Sequence, residues 1–119
     1  MTNLERAKDL YNRIGKGEIL EAFDHYYSNL VVMEEPRGKR SGKAACRTSE
    51  EQFVASVATF HGMEIRAMAE DENQQKVLIE VTMDLTFKGG PRVTMEQVSV
   101  QTWDKGQIVH ERFYYDHQA

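Results

Sequence analysis

A single cysteine, Cys46, occurs in the 119 residues of this chain. One cysteine cannot form an internal disulfide and cannot supply a cysteine-rich zinc site. Proline is also scarce, since only Pro36 and Pro91 are present. Both are predicted at turns, because proline fixes its φ angle and cannot donate to a strand ladder. We therefore expect a core without cross-links, in which Cys46 is a small buried side chain.

An excess of positive charge is missing, and so are long hydrophobic runs. The formal net charge is −4 at pH 7, which disfavours a nucleic-acid partner because such binding neutralises phosphates with basic residues. No apolar run approaches the ~18 residues of a membrane span. The N-terminus shows no basic segment followed by an apolar stretch, as a signal peptide would. We expect a cytoplasmic protein with neither nucleic-acid nor membrane partners.

The chain length fits one domain over residues 1–119, because a chain of this size buries roughly two-thirds of its unfolded surface in one core. In its first half, apolar residues recur at helical spacing, which predicts amphipathic helices. The first helix ends near Gly15 and Gly17 and turns Tyr11 inward, and a shorter second helix contains Phe23. The stripe of the first helix consists of Leu4, Ala7, Tyr11 and Ile14.

A third helix is predicted next, and the sequence leaves its start open. Ser49 and Gln52 resemble a capping box, which would begin the helix at Ser49. An apolar stripe that starts earlier would instead begin the helix near Gly42. That stripe consists of Cys46, Phe53, Val57 and Phe60.

In the second half of the chain the apolar spacing changes from helical to alternating, which is typical of strands. A long strand is predicted over residues 77–87, and Gly89-Gly90-Pro91 turns the chain into the next one. In that next strand the apolar residues change faces between Met95 and Val98. We therefore predict a β-bulge near Glu96-Gln97 that bends the sheet. Helices followed by strands indicate an α+β fold.

Glu35 is the first candidate for function. It lies in the segment Glu34-Glu35-Pro36, which ends the apolar run from Leu30 to Met33. A carboxylate at the point where a strand leaves a hydrophobic core is a candidate for a raised pKa and for proton transfer. The alternative is a solvated carboxylate at the strand end, paired with Arg37 or Arg40.

We expect this strand to form an apolar cavity with the first helix. Val31, Met33 and Glu35 alternate on one strand face, which the inward stripe of the helix must cover. His110 is interpreted as either a proton shuttle or a structural histidine, and Trp103 as either core or pocket wall. The residues predicted to line the cavity beside Glu35 and Tyr11 are Met33, Phe53, Val57, Phe60, Trp103 and His110.

The order of these elements resembles the nuclear transport factor 2-like superfamily, and within it the SnoaL-like and ketosteroid isomerase branch. The resemblance is carried by Glu34-Glu35-Pro36, by Arg40-Ser41-Gly42 and by the turn Trp103-Asp104-Lys105-Gly106. It implies a cystatin-like, cone-shaped α+β barrel. Three N-terminal helices would pack in a strongly bent, mainly antiparallel sheet.

The resemblance also implies roles for individual residues. Glu35 falls at the general base of the isomerases, which is an aspartate there. Tyr11 matches the helix that carries their phenolic oxyanion donor, with Leu10 at that position if the loop after the helix holds an insertion. The third isomerase residue, a protonated aspartic acid, falls near Ser99, or at Gln97 or Glu96 if the strand is bulged.

Two functions remain open. The first is a cofactor-free isomerase, cyclase or hydratase, in which Glu35 moves a proton next to the carbonyl of an apolar substrate or activates water. Tyr11 and a polar group at Gln97 or Ser99 would then stabilise the developing charge. The second is a non-catalytic domain that binds an apolar small molecule or serves in assembly. No phosphate loop or metal-ligand spacing is present, so neither a cofactor nor a metal is predicted.

A homodimer is also predicted, through the outer face of the sheet. Helices cover only one side of such a sheet and leave the other exposed. A partly apolar outer face indicates an interface. That face carries Thr82, Thr86 and Thr94 and, without the bulge, Val98 and Val100.

Overall fold

The computed structural model describes residues 1–116, which form three helices and six strands. The strands lie in one sheet in the order β2-β1-β6-β5-β4-β3, in which β1 and β6 are parallel and the other neighbours are antiparallel. The helices are α1 (Asn3–Gly15), α2 (Ile19–Tyr26) and α3 (Lys43–Ser56), and the strands are β1 (Tyr27–Glu35), β2 (Gly38–Ser41), β3 (Val57–Asp71), β4 (Lys76–Phe87), β5 (Arg92–Asp104) and β6 (Gln107–Tyr114).

The three helices pack against one face of this mixed, mainly antiparallel sheet, which confirms the predicted α+β fold class. The edge strands β2 and β3 do not pair with each other, so the predicted barrel is open rather than closed. Within residues 1–116, no helix combines the length and the apolar character that crossing a membrane requires.

Local sequence signals set the ends of the helices. Thr2 caps α1 by accepting a hydrogen bond from the Glu5 backbone, and the Glu5 side chain accepts one from the Thr2 backbone in return. The start of α3 is at Gly42 rather than at Ser49, so the proposed capping box of Ser49 and Gln52 is not used. Gly42 has a φ of +92°, which lets the chain turn from β2 directly into the helix.

Val57 and Phe60, predicted on the stripe of the third helix, belong instead to β3. The chain becomes extended at Val57, which pairs with Phe87 at the far end of β4. A β-branched residue at this point favours the strand over a further helical turn. The helix therefore ends before its apolar stripe does.

The predicted bulge near Glu96-Gln97 is wrong. β5 pairs with β4 without interruption from Arg92 opposite Thr86 to Thr102 opposite Lys76. Register shifts occur instead along β3 against β4, and once between β5 and β6 near Trp103. Such irregularities bend a sheet. The bend of the sheet was predicted, but the irregular pairing that accounts for it lies between β3 and β4 and between β5 and β6, not between β4 and β5.

The change of face by the apolar residues of β5 has another cause. Gln97, Ser99 and Gln101 face the interior, and Val98 and Val100 face outward, where they are only partly exposed. Ser99 and Gln101 are fully buried and find hydrogen-bond partners there. The polar face of β5 is thus its inner face over this stretch.

The hydrophobic core lies between the helices and the inner face of the sheet, to which β4 contributes a row of buried side chains. β4 alternates strictly, with Val77, Ile79, Val81 and Leu85 fully buried. Burying an aliphatic side chain of this size stabilises a fold by roughly 1.5–3 kcal/mol. The alternating strand therefore anchors the helices that enclose the interior.

Candidate functional site

A cavity of about 1000 Å³ opens between the three helices and the inner face of the sheet. Its volume is at the upper end of the usual range for small-molecule sites. Apolar and aromatic side chains from α1, α2, α3 and the strands form most of its wall. These side chains include Leu10, Ile14, Ile19, Phe23, Phe53, Met83, Phe87 and Phe113.

Polar side chains project into the same space, and carboxyl groups outnumber guanidinium groups among them. Among residues 1–116, no three His, Cys, Asp or Glu side chains are arranged to hold a metal ion. The carboxyl groups are those of Glu35, Glu50, Glu96, Glu111 and Asp116, and the guanidinium groups are those of Arg37 and Arg40.

Glu111 lies at the buried end of the cavity with only 1% of its surface exposed. The hydroxyl of Tyr27 donates to one of its oxygens. Ser99 Oγ and Gln101 Nε2 donate to the other, at 2.6 and 3.0 Å. The indole of Trp103 in turn donates to Gln101 Oε1 at 3.1 Å, so a chain of hydrogen bonds holds the inner face of β5 in place.

Burial raises the pKa of the Glu111 carboxyl, although the hydrogen bonds from Ser99, Tyr27 and Gln101 act in the opposite direction. A carboxylate that accepts several hydrogen bonds is favoured in its charged form, whereas removal from water disfavours that form. Both oxygens are engaged by the surrounding protein. Glu111 therefore organises the wall of the cavity and contributes its charge.

Tyr11, on α1, is 3% exposed and lines the same cavity as Glu111. Burial, together with the negative charge of Glu111, raises the pKa of the Tyr11 phenol far above its ordinary value, while a hydrogen bond with Ser99 opposes the shift. The phenol is therefore protonated at neutral pH. Tyr11 and Ser99, two of the residues predicted to act together, thus lie close to each other, but Ser99 is fully buried and only Tyr11 lines the cavity.

Glu35 lies at the end of β1, and its side chain is 26% exposed. The hydroxyl of Tyr115 donates to its Oε2 at 2.7 Å, and Arg40 Nη1 lies 3.6 Å from its Oε1. The Nε–H group of Arg40 is buried and has no hydrogen-bond partner among residues 1–116. A cation and a hydroxyl thus flank the Glu35 carboxylate, which also lines the cavity.

Glu50 lies on the cavity side of α3 and is half-buried. Its neighbour Glu51 faces outward and forms an ion pair with Arg47 at 3.2 Å. Burial raises the pKa of Glu50 to about 7, helped by the negative charges of Glu111 and Glu35 and opposed by Arg40. This carboxyl group changes its protonation state near neutral pH.

The remaining predicted site residues occupy several different places. Gln97 and Phe53 line the cavity. Met33 and Trp103 are each 1% exposed in the core, and Val57 and Phe60 pack against that core at the start of β3. His110 lies on the outer side of β6, where its Nε2 is 2.5 Å from Glu34 Oε2, because it alternates with the inward-facing Glu111.

Sequence reasoning missed Glu50 and Glu111, although both follow the periodic patterns that it used. Glu50 lies four residues after Cys46 and three before Phe53, on the same helical stripe. Glu111 shares its strand face with Phe113 and Tyr115. A carboxylate inside an otherwise apolar stripe was the signal that could have identified each of them.

The chain is similar to known proteins in sequence and in fold. The family model of the SnoaL-like domain matches residues 1–115. A crystal structure designated a SnoaL-like polyketide cyclase, from Mesorhizobium loti, is 28% identical to this chain with a TM-score of 0.82. That alignment covers 97% of this chain and 100% of the other. No curated protein matches the chain.

Two further solved structures share the fold at lower identity. A protein designated an isomerase, from Bacillus subtilis, is 16% identical with a TM-score of 0.83, over 98% of this chain and 90% of that one. An M. tuberculosis LEH-like epoxide hydrolase is 22% identical with a TM-score of 0.78, over 96% of this chain and 78% of that one. At such identities the likeness concerns the fold.

Proposed function

The chain belongs to the SnoaL-like domain family, and from this premise we propose that it is a cofactor-free enzyme of the isomerase, cyclase or hydratase type. Its substrate is an apolar small molecule with a carbonyl-type oxygen. The observation that carries the proposal is the Glu35 carboxylate, which lines an apolar cavity of about 1000 Å³. Similar folds in proteins designated cyclase, isomerase and epoxide hydrolase support this class of chemistry.

Glu35 acts as the general base. Its carboxylate takes a proton from the carbon next to the carbonyl, or from water, and the electron pair released forms the new bond. Arg40 and Tyr115 hold the carboxylate in one orientation, which favours proton transfer because the reacting atoms are already aligned. The protonated phenol of Tyr11 is a hydrogen-bond donor in the cavity wall for the oxygen that gains negative charge.

The variant Glu35→Gln tests the base, because glutamine keeps the size of the side chain and removes its basicity. We expect turnover of a responsive substrate, found by screening dienones, β-keto esters and epoxides, to fall by about a hundredfold or more. Steady-state kinetics measures the loss.

Glu34→Gln is the matched control, because the adjacent Glu34 side chain pairs with His110 outside the cavity. Its rate should stay close to that of the wild type. Equal rates in the wild type and in Glu35→Gln would end the assignment of Glu35 as the base.

A non-catalytic pocket domain is the second candidate function, favoured by the ion pair of Glu35 with Arg40. In that case the same compounds bind without being converted. Calorimetric titration that detects saturable binding, combined with no product over the whole panel, would favour this candidate.

A further inference from the structure

Glu50 is a second cavity carboxyl group whose surroundings differ from those of Glu35. Glu35 has a cation and a hydroxyl beside it. Among the residues described, no side chain forms a hydrogen bond or an ion pair with the Glu50 carboxyl, which is half-buried and lines the cavity. A carboxyl group at a cavity wall without a protein partner has its hydrogen-bonding capacity open to a ligand or water.

We propose that Glu50 is a second catalytic residue, which in its neutral form donates a proton to the substrate oxygen while Glu35 accepts a proton from carbon. This inference rests on the proposed function and adds a residue that takes part in the same reaction. It assigns opposite roles to the two carboxyl groups because their neighbours are different.

The charges around Glu50 favour its neutral form. Glu111 on β6 and Glu35 on β1 are acidic neighbours, and Arg40 on β2 is the one basic group among those that act on it within the described chain. The phenols of Tyr11 and Tyr27 also face it, and both are protonated at neutral pH. Burial and like charges together raise the pKa of Glu50 to about 7, so a large share of the protein carries the neutral acid at neutral pH.

Glu111 is less suited to this role. Its two oxygens already accept hydrogen bonds from Tyr27, Ser99 and Gln101. Transfer of a proton to a ligand would require this buried network to reorganise, whereas the carboxyl of Glu50 needs no such change. Glu111 acts instead through its charge, which keeps the proton on Glu50.

The proton transfers balance for an isomerisation. Glu35 accepts the proton from the carbon next to the carbonyl, and the electrons of that C–H bond form a carbon–carbon double bond. The carbonyl π electrons move to oxygen, which takes the proton of Glu50 and gives a neutral enol. In a substrate with a β,γ double bond the enol is a conjugated dienol, so Glu35 returns its proton to the γ-carbon, the α,β double bond forms, and Glu50 recovers its proton from the oxygen as the carbonyl is restored. Both side chains therefore return to their initial protonation states.

The test combines a titration with a pH–rate profile. Carbon-13 NMR of the glutamate side chains should show the Glu50 carboxyl titrating near neutral pH in the wild-type protein. Turnover of the responsive dienone or β-keto ester should decline as pH rises through that titration, because the proton donor is lost. Glu50→Gln should lower the rate at neutral pH by about a hundredfold and abolish the decline at higher pH.

Glu51→Gln is the matched control, since it removes the adjacent carboxylate that faces away from the cavity. Its profile should match that of the wild type. A Glu50 carboxyl that titrates at an ordinary pKa of about 4.3 would overturn the inference even if no substrate is found. Glu50→Gln with an unchanged profile, alongside an inactive Glu35→Gln, would reject the role of Glu50 and leave the proposed function standing.

Discussion

Adjacent glutamates at two places in this protein face opposite sides of the backbone. Glu35 and Glu50 line the cavity, whereas Glu34 and Glu51 bind His110 and Arg47 outside it. Each pair places the same chemical group in two environments. The protein therefore contains its own controls, because charge and side-chain size are constant within a pair and only the surroundings change.

Tyr27 provides a test of the buried hydrogen-bond cluster at the level of single residues. Tyr27→Phe removes one donor to the carboxyl group of Glu111, which is only 1% exposed. We expect the free energy of unfolding to fall by about 1–3 kcal/mol, the usual cost of leaving a buried polar group without a partner. Urea denaturation followed by circular dichroism measures the change.

Tyr114→Phe is the control for this change, because Tyr114 is 47% exposed on the outer side of β6. Its stability should remain within about 0.5 kcal/mol of the wild type. Two variants of equal stability would show that the hydroxyl of Tyr27 contributes nothing to the cluster.

At the level of elements, the junction of β2 and α3 places Glu50 in the cavity. Gly42 forms this junction with a φ of +92°, a conformation that residues with a Cβ atom rarely adopt. A Cβ atom added at Gly42 would meet nothing within 4 Å. The expected effect of a substitution is thus conformational rather than a matter of packing.

Gly42→Ala should therefore lower the free energy of unfolding by roughly 1–3 kcal/mol, because it forces alanine into a strained backbone region. Gly38→Ala is the comparison, since a Cβ atom there also meets nothing within 4 Å and the φ angle of Gly38 is not positive. Thermal and urea unfolding of both variants should show a loss only at Gly42. A similar loss at Gly38 would mean that glycine flexibility in general, and not this φ angle, is responsible.

At the scale of the whole molecule, the outer face of the sheet is the surface that the helices leave uncovered. Val98 and Val100 lie on it, beside Leu78, which is 40% exposed, and Tyr114. Threonines at positions 82, 86 and 94 share this face. We propose that two copies of the chain pair through this surface, because a partly apolar, continuous strand face gains free energy when it is covered.

Light scattering at micromolar concentration should then give about twice the sequence mass of 13.7 kDa. Val100→Lys should shift the protein to the monomer, since it places a charge in the apolar part of the face. Ala45→Lys adds the same charge on the exposed side of α3 and should leave the dimer intact. A wild-type protein that remains monomeric at these concentrations would rule out the interface.

Local sequence patterns were sufficient to predict most helices and strands and part of the candidate site. The spacing of Ala7 and Tyr11 predicted the inner face of α1, and strict alternation predicted β4. Glu35 was found because a carboxylate follows an apolar run, and it does line the cavity. These features depend on neighbours within a few residues, and periodicity records such neighbours directly.

Which side of β5 faces the interior depends on hydrogen-bond partners that are distant in sequence. Ser99 and Gln101 are polar, so alternation alone placed Val98 and Val100 inside and required a bulge. In the folded protein, Glu111 from β6 accepts hydrogen bonds from both side chains, which removes most of the cost of burying them. Local periodicity set the helices and strands, whereas the choice of which β5 face is buried, and with it the hydrogen-bond partners of Glu111, arose only when β6 packed beside β5.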